Sequence, residues 1–125
     1  MSGEEIPPWL KEQVTRFEQG QQNLQAVLLQ KQQVEAELAE VEKALTELRK
    51  TQTKDVVYKS AGPLLIKVGR DDMLKELDEK KELANTRAVV LAKQETRMKE
   101  NVTEMQNKIS EAIRGRTQST PSTES

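Results

Sequence analysis

Apolar residues recur along most of this chain at alternating steps of three and four. From Leu74 to Ile113 the stripe reads Leu74, Leu77, Lys81, Ala84, Ala88, Leu91, Glu95, Met98, Val102, Met105, Ile109 and Ala112. An average repeat of about 3.5 residues keeps one stripe turned toward a partner helix, the condition for a coiled coil. A second tract runs from Leu10 to Leu48. Its early seam is Leu10, Val14, Phe17, Gln21 and Leu24, and its late seam is Val27, Lys31, Val34, Leu38, Val41, Leu45 and Leu48. The step from Leu24 to Val27 repeats a three. This predicts a stammer, with local overwinding, close to the helix-weakening Gly20. Between the tracts the period changes to that of strands. Val56-Val57-Tyr58-Lys59-Ser60-Ala61, then Gly62-Pro63, then Leu64-Leu65-Ile66-Lys67-Val68 reads as strand, turn, strand.

Local signals set the expected boundaries. Pro7 and Pro8 suit a helix start, where a missing N–H would be unpaired anyway. The first helix is expected over about 8–50, closed by Arg49 and Lys50 at the negative end of its dipole. The hairpin is expected over about 55–69 and the second helix over about 71–114, with Asp71 or Asp72 as N-cap. Glu76 with Lys80, Glu95 with Lys99 and Glu104 with Lys108 are spaced to pair along that helix. Gly115 after Arg114 reads as its stop. The expected organisation is therefore one domain over 6–114. Residues 1–5 and the Ser/Thr-rich tail 115–125 are expected to be disordered.

The fold class that follows is mainly α: an antiparallel two-helix coiled coil with one central β-hairpin. Placing residues whose numbers sum to about 122 opposite each other matches seam with seam, for example Leu45 with Leu77 and Phe17 with Met105. Composition agrees with a narrow seam rather than a broad core, since 33% of residues are charged and only 2% aromatic. Basic and acidic residues number 20 and 21 and are well mixed, so no field draws phosphate backbones and nucleic acid is not an expected partner. The chain has no Cys and no His, which removes the usual zinc ligands and the commonest general base. No cofactor is expected. No apolar run nears the roughly 20 residues that span a bilayer, and the acidic start Met1-Ser2-Gly3-Glu4-Glu5 is unlike a secretory signal, so a cytoplasmic location without membrane contact is expected.

Two surfaces stand out. The hairpin is apolar on both faces. Val56, Tyr58, Leu64, Ile66 and Val68 fall on one parity and Val57 and Leu65 on the other, with Lys59 and Lys67 marking a wet side. A lone two-stranded hairpin is marginal in water and exposes unpaired edges. Pairing with hairpins of other chains in a larger sheet or barrel resolves both problems; folding back on its own helices is the alternative. The second surface is the end where antiparallel pairing gathers Ile6, Trp9, Leu10, Val14 and Phe17 with Val102, Met105, Ile109 and Ile113. Val14, Phe17, Val102 and Met105 can simply zip the coil shut. Ile6, Trp9 and Ile113 lie beyond or beside the seam, where an exposed apolar patch binds something else.

The hairpin segment Val56-Val57-Tyr58-Lys59-Ser60-Ala61-Gly62-Pro63-Leu64-Leu65, the Gln-rich stretch from Leu24 to Gln33 and the opening Ile6-Pro7-Pro8 together resemble the beta-class prefoldin family, of archaeal type. The resemblance covers roughly residues 6–113. It implies a hetero-hexamer of two alpha-class and four beta-class subunits whose hairpins form a double β-barrel. It further implies an ATP-independent holdase whose coiled-coil tips bind non-native polypeptides and pass them to a group II chaperonin. Val56, Val57, Tyr58, Leu64, Leu65, Ile66 and Val68 would then serve oligomerisation, and the apolar helix ends would hold cargo. Two rival classes remain: an enzyme, for which Asp71, Asp72, Glu76 and Glu79 offer only solvated carboxylates, and a coiled-coil tether or scaffold, which predicts a sealed tip and one defined partner.

Overall fold

The computed structural model describes residues 6–119. Helix α1 spans Pro8–Arg49, strand β1 Val57–Ala61, strand β2 Leu64–Val68 and helix α2 Arg70–Ser119. The chain divides into two compact units. One holds residues 30–91 with the hairpin, and among the described residues the other brings 6–29 together with 92–119.

Each boundary has a local cause. The Pro7 carbonyl accepts from the amides of Leu10 and Lys11 at 3.0 and 3.1 Å, so Pro7 caps α1 and Pro8 takes its first helical position. At the other end the Thr51 hydroxyl donates to the Leu48 carbonyl at 2.6 Å, satisfying an acceptor of the last turn. Asp55 then closes a small turn, its Oδ2 accepting from the Gln52 amide at 2.6 Å. Helix α2 begins one residue before its expected cap. The Gly69 carbonyl accepts from the Met73 amide at 2.9 Å, so Gly69 is the N-cap, and Asp71 and Asp72 lie in the first turn. There their charges oppose the positive end of the helix dipole.

Gly115 does not end α2, which continues to Ser119. Gly62 alone has a positive φ among the described glycines, so Gly115 never adopts the left-handed conformation of a C-cap. A helical glycine without it costs about 1 kcal/mol and does not break the helix. The expected tail from 115 is thus helical at its start; residues 120–125, and the N-terminal segment 1–5, lie outside the described residues.

In the hairpin unit the seam is well filled. Val41, Leu45, Leu48 and Leu77 form a buried cluster, with Val57, Met73 and Leu74 packed against it. Val34, Ala84 and Leu91 are buried further along the same seam. Ion pairs that cross it, Arg49 with Asp78 at 3.3 Å and Glu42 with Lys81 and Glu37 with Arg87 at 3.9 Å each, step in opposite directions along the two helices. That is antiparallel pairing.

In the other unit Leu10 and Val27 are buried. The stammer expected between Leu24 and Val27 is absent. Gln21 is exposed, and Leu10, Gln13, Phe17, Gly20, Leu24 and Val27 form a sheltered run in unbroken alternation of three and four, with Val14 and Leu28 half-buried beside it. Gly20 carries no side chain, so it left no apolar mark. A Cβ placed there would lie 3.0 Å from Met105 Cε and 3.2 Å from Val102 Cγ2, which shows how closely α2 residues fill the notch.

Candidate functional site

The hairpin register pairs Val57 with Val68, Tyr58 with Lys67, Lys59 with Ile66, Ser60 with Leu65 and Ala61 with Leu64. Gly62 has φ of 60°, and Pro63 is held near −65° by its ring, the combination of a two-residue type II′ turn. Directly opposed residues share a face. One face therefore carries Val57, Lys59, Ala61, Leu64, Ile66 and Val68, and the other Tyr58, Ser60, Leu65 and Lys67. This corrects the assignment by parity alone, which grouped Tyr58 with Leu64 and Ile66. A two-residue turn makes partner numbers sum to an odd value, so odd positions of β1 join even positions of β2.

The two lysines consequently lie on opposite faces rather than marking one wet side. Lys59 turns toward α2, where its Nζ donates to Glu76 Oε1 at 2.8 Å. That bond, with the positive charges of Lys59 and Lys80 helping against partial desolvation, holds the Glu76 carboxyl below the ordinary glutamate value of 4.5. Glu76 therefore anchors the hairpin instead of pairing along its helix with Lys80. Glu95–Lys99 and Glu104–Lys108 do form within α2, at 2.6 and 3.8 Å.

Despite this anchor, the hairpin remains largely bare. Val56, Tyr58, Leu64 and Ile66 are exposed, and Leu65 most of all at 72%. Val57 and Val68 are half-buried, and Val57 reaches the helical cluster. Beneath β1 an apolar cleft of about 380 Å³ opens between Leu48, Val56, Tyr58, Met73 and Leu77. A row of exposed apolar side chains thus lies beside this cleft and two open strand edges.

In the unit formed by the helix ends, the expected residues separate into two groups. Leu10 is buried, and Val14, Phe17, Val102, Met105 and Ile109 are half-buried in the seam. Ile6, Trp9 and Ile113 are exposed by 44, 56 and 52%. Exposed apolar residues also occur where the heptads gave no warning: Leu29 on α1, and Leu83, Val89 and Val90 on α2. These lie outside the seam rhythm, so only direct inspection of each non-seam position would have found them. Among the described residues no group of acidic side chains is placed to hold a metal, and no helix is long and apolar enough to cross a membrane.

Such an arrangement defines a class of chain in which two long helices are joined by a bare antiparallel β-hairpin. Comparison with known proteins narrows the class. A family model described as prefoldin subunit matches residues 11–116. The prefoldin subunit beta of Pyrobaculum islandicum is 46% identical over 109 residues, covering 87% of either chain. That of Archaeoglobus fulgidus is 43% identical over 105 residues, 84% of this chain and 90% of the relative. The crystal structure of the prefoldin beta subunit from Thermococcus strain KS-1 matches with a TM-score of 0.78 at 38% identity, over 88% of this chain and 96% of that one. The chain belongs to the prefoldin family, as a beta-class subunit. It is thus a subunit of a prefoldin-type chaperone, in a family that works without enzymatic chemistry, and assembles with other prefoldin subunits.

Proposed function

We propose that this chain is the beta-class component of a cytoplasmic hexamer with two alpha-class and four beta-class subunits. The hexamer holds non-native polypeptides without ATP and passes them to a group II chaperonin. The observation that carries this reading is the placement of exposed apolar side chains at two sites of different character. At the hairpin, Tyr58, Leu64, Leu65 and Ile66 accompany open backbone edges. Backbone edges need strands, so this site fits closure with other hairpins into a β-barrel. At the helix ends, Ile6, Trp9 and Ile113 accompany helices whose backbone groups are already satisfied. Such a patch offers non-directional apolar contact and suits cargo of many sequences.

Weak contacts of this kind become useful when several arms act on one cargo chain. Linking modest sites raises avidity by orders of magnitude while each contact still releases readily. The exposed tip residues favour this reading over a tether with a sealed end. Native mass measurement of this chain co-expressed with an alpha-class subunit tests the assembly. A complex of two partners with four copies of this chain is expected. A homodimer that ignores the alpha-class subunit would overturn the proposal.

A further inference from the structure

The chain has no Cys, so its thioethers are its only oxidisable sulfur. The three described ones are all half-buried. Met73 packs against the buried cluster of Val41, Leu45, Leu48 and Leu77 and borders the cleft beneath β1. Met98 and Met105 are half-buried and line an open groove of about 330 Å³, together with Arg16, Gln19, Asn23 and Asn101. Met105 is seated most specifically, with its terminal methyl against the notch left by Gly20, at 3.0 Å from the position of an added Cβ. The groove thus combines an apolar floor at Gly20 and Val102 with amide and guanidinium donors around it. Gln19 Nε2 already donates to Asn23 Oδ1 at 3.2 Å along this rim.

We propose that Met105 is a reversible oxidation site for hydroperoxides, and that its sulfoxide loosens the packing of α1 against α2 around Gly20. A lone pair of Met105 Sδ attacks the distal peroxide oxygen. The O–O bond breaks, an S–O bond forms, and the departing alkoxide, or hydroxide from hydrogen peroxide, takes the proton from the transferred oxygen and leaves as alcohol or water. Sulfur is oxidised by two electrons and the peroxide is reduced by two. The product is a polar, chiral side chain with a strong acceptor oxygen. It no longer suits the apolar notch, but the donors of Arg16, Gln19, Asn23 and Asn101 can receive it at the rim. The side chain moves outward and the notch empties. Little else compensates, because Gln13, Val14, Phe17, Leu24, Met98, Val102 and Ile109 nearby are only half-buried. Reduction of the sulfoxide restores the thioether and the packing.

The test treats the full-length Met73→Leu chain, which removes the other cleft's thioether, with hydrogen peroxide and follows each methionine by peptide mass spectrometry, with amide hydrogen exchange as the second readout. Met105 is expected to convert to the sulfoxide, since it borders an open groove and access governs thioether oxidation. Exchange should then rise over residues 13–24 and 98–109, stay unchanged over 30–91, and return to its starting level after treatment with methionine sulfoxide reductase. Met105→Leu keeps the apolar volume and should abolish the rise while Met98 still oxidises. No conversion of Met105, unchanged exchange once Met105 is converted, or the same rise in Met105→Leu would each overturn the proposal.

Discussion

Leu45→Ala should be the most damaging truncation in the hairpin unit. Leu45 is 1% exposed and shares its cluster with Val41, Leu48 and Leu77. Truncating a buried leucine costs about 2–5 kcal/mol, depending on how far the site collapses. A two-helix seam can close partway around the gap, which places the expected loss at about 2–3 kcal/mol. With an unfolding entropy of about 2 cal/mol/K per residue, this lowers the midpoint by about 10 °C. Leu29→Ala makes the same chemical change at a site 56% exposed. Surface changes of that kind stay within about 0.5 kcal/mol, or about 2 °C here. Thermal unfolding followed by circular dichroism, at one fixed protein concentration, compares the two; concentration is fixed because assembly itself moves the midpoint. A Leu45→Ala shift below about 4 °C, or equal shifts for both variants, would refute the assignment of the seam as the source of stability.

Gly62→Ala should lose about 1–2 kcal/mol purely from the backbone, because φ is 60° and no atom lies within 4 Å of the added Cβ; unchanged strand protection in amide exchange would contradict this. Glu76 has its carboxyl pKa lowered by Lys59, so its stabilising contribution is present above the ordinary value of 4.5 and is lost as pH falls through the lower folded value. Wild type and Glu76→Gln should therefore converge in stability as the solution is acidified below that value, and an NMR titration midpoint for Glu76 above 4.5 would disprove the claim. Gly20→Ala gains about 1 kcal/mol of helix propensity but must displace Met105 Cε and Val102 Cγ2. It should be nearly neutral alone and stabilising by about 1 kcal/mol in a Met105→Ala background, and a double-mutant cycle with no coupling would reject the notch.

Much of this architecture could be read from side-chain pattern alone. In α2 the stripe from Leu74 to Ala112 coincides with the sheltered positions, charged Lys81 and Glu95 included. Those two kept their place because the heptad positions around them left no other phase. In α1 the same method failed at Gly20, because a residue without a side chain shapes packing through what it lets in. The hairpin was legible as strand, turn, strand, yet its faces were not, since they depend on the parity of the turn and not on hydrophobicity. Glu76 had two lysines within reach, and spacing along the helix could not reveal that the hairpin would bring Lys59 nearer. The glycine at 115 illustrates the converse limit: a residue that permits a left-handed cap does not compel one.

The central claim is that apolar residues at the helix ends hold non-native chains. Changing Ile6, Trp9 and Ile113 to Ser tests it directly, because these side chains are exposed and their loss should leave the fold and the assembly intact. Burying what remains exposed on each is worth about 1 kcal/mol. The assembled triple variant should therefore need at least about tenfold more complex to suppress aggregation of a denatured client. If it protects the client as well as the unmodified complex does, with hexamer mass unchanged, cargo is held elsewhere and the account is wrong.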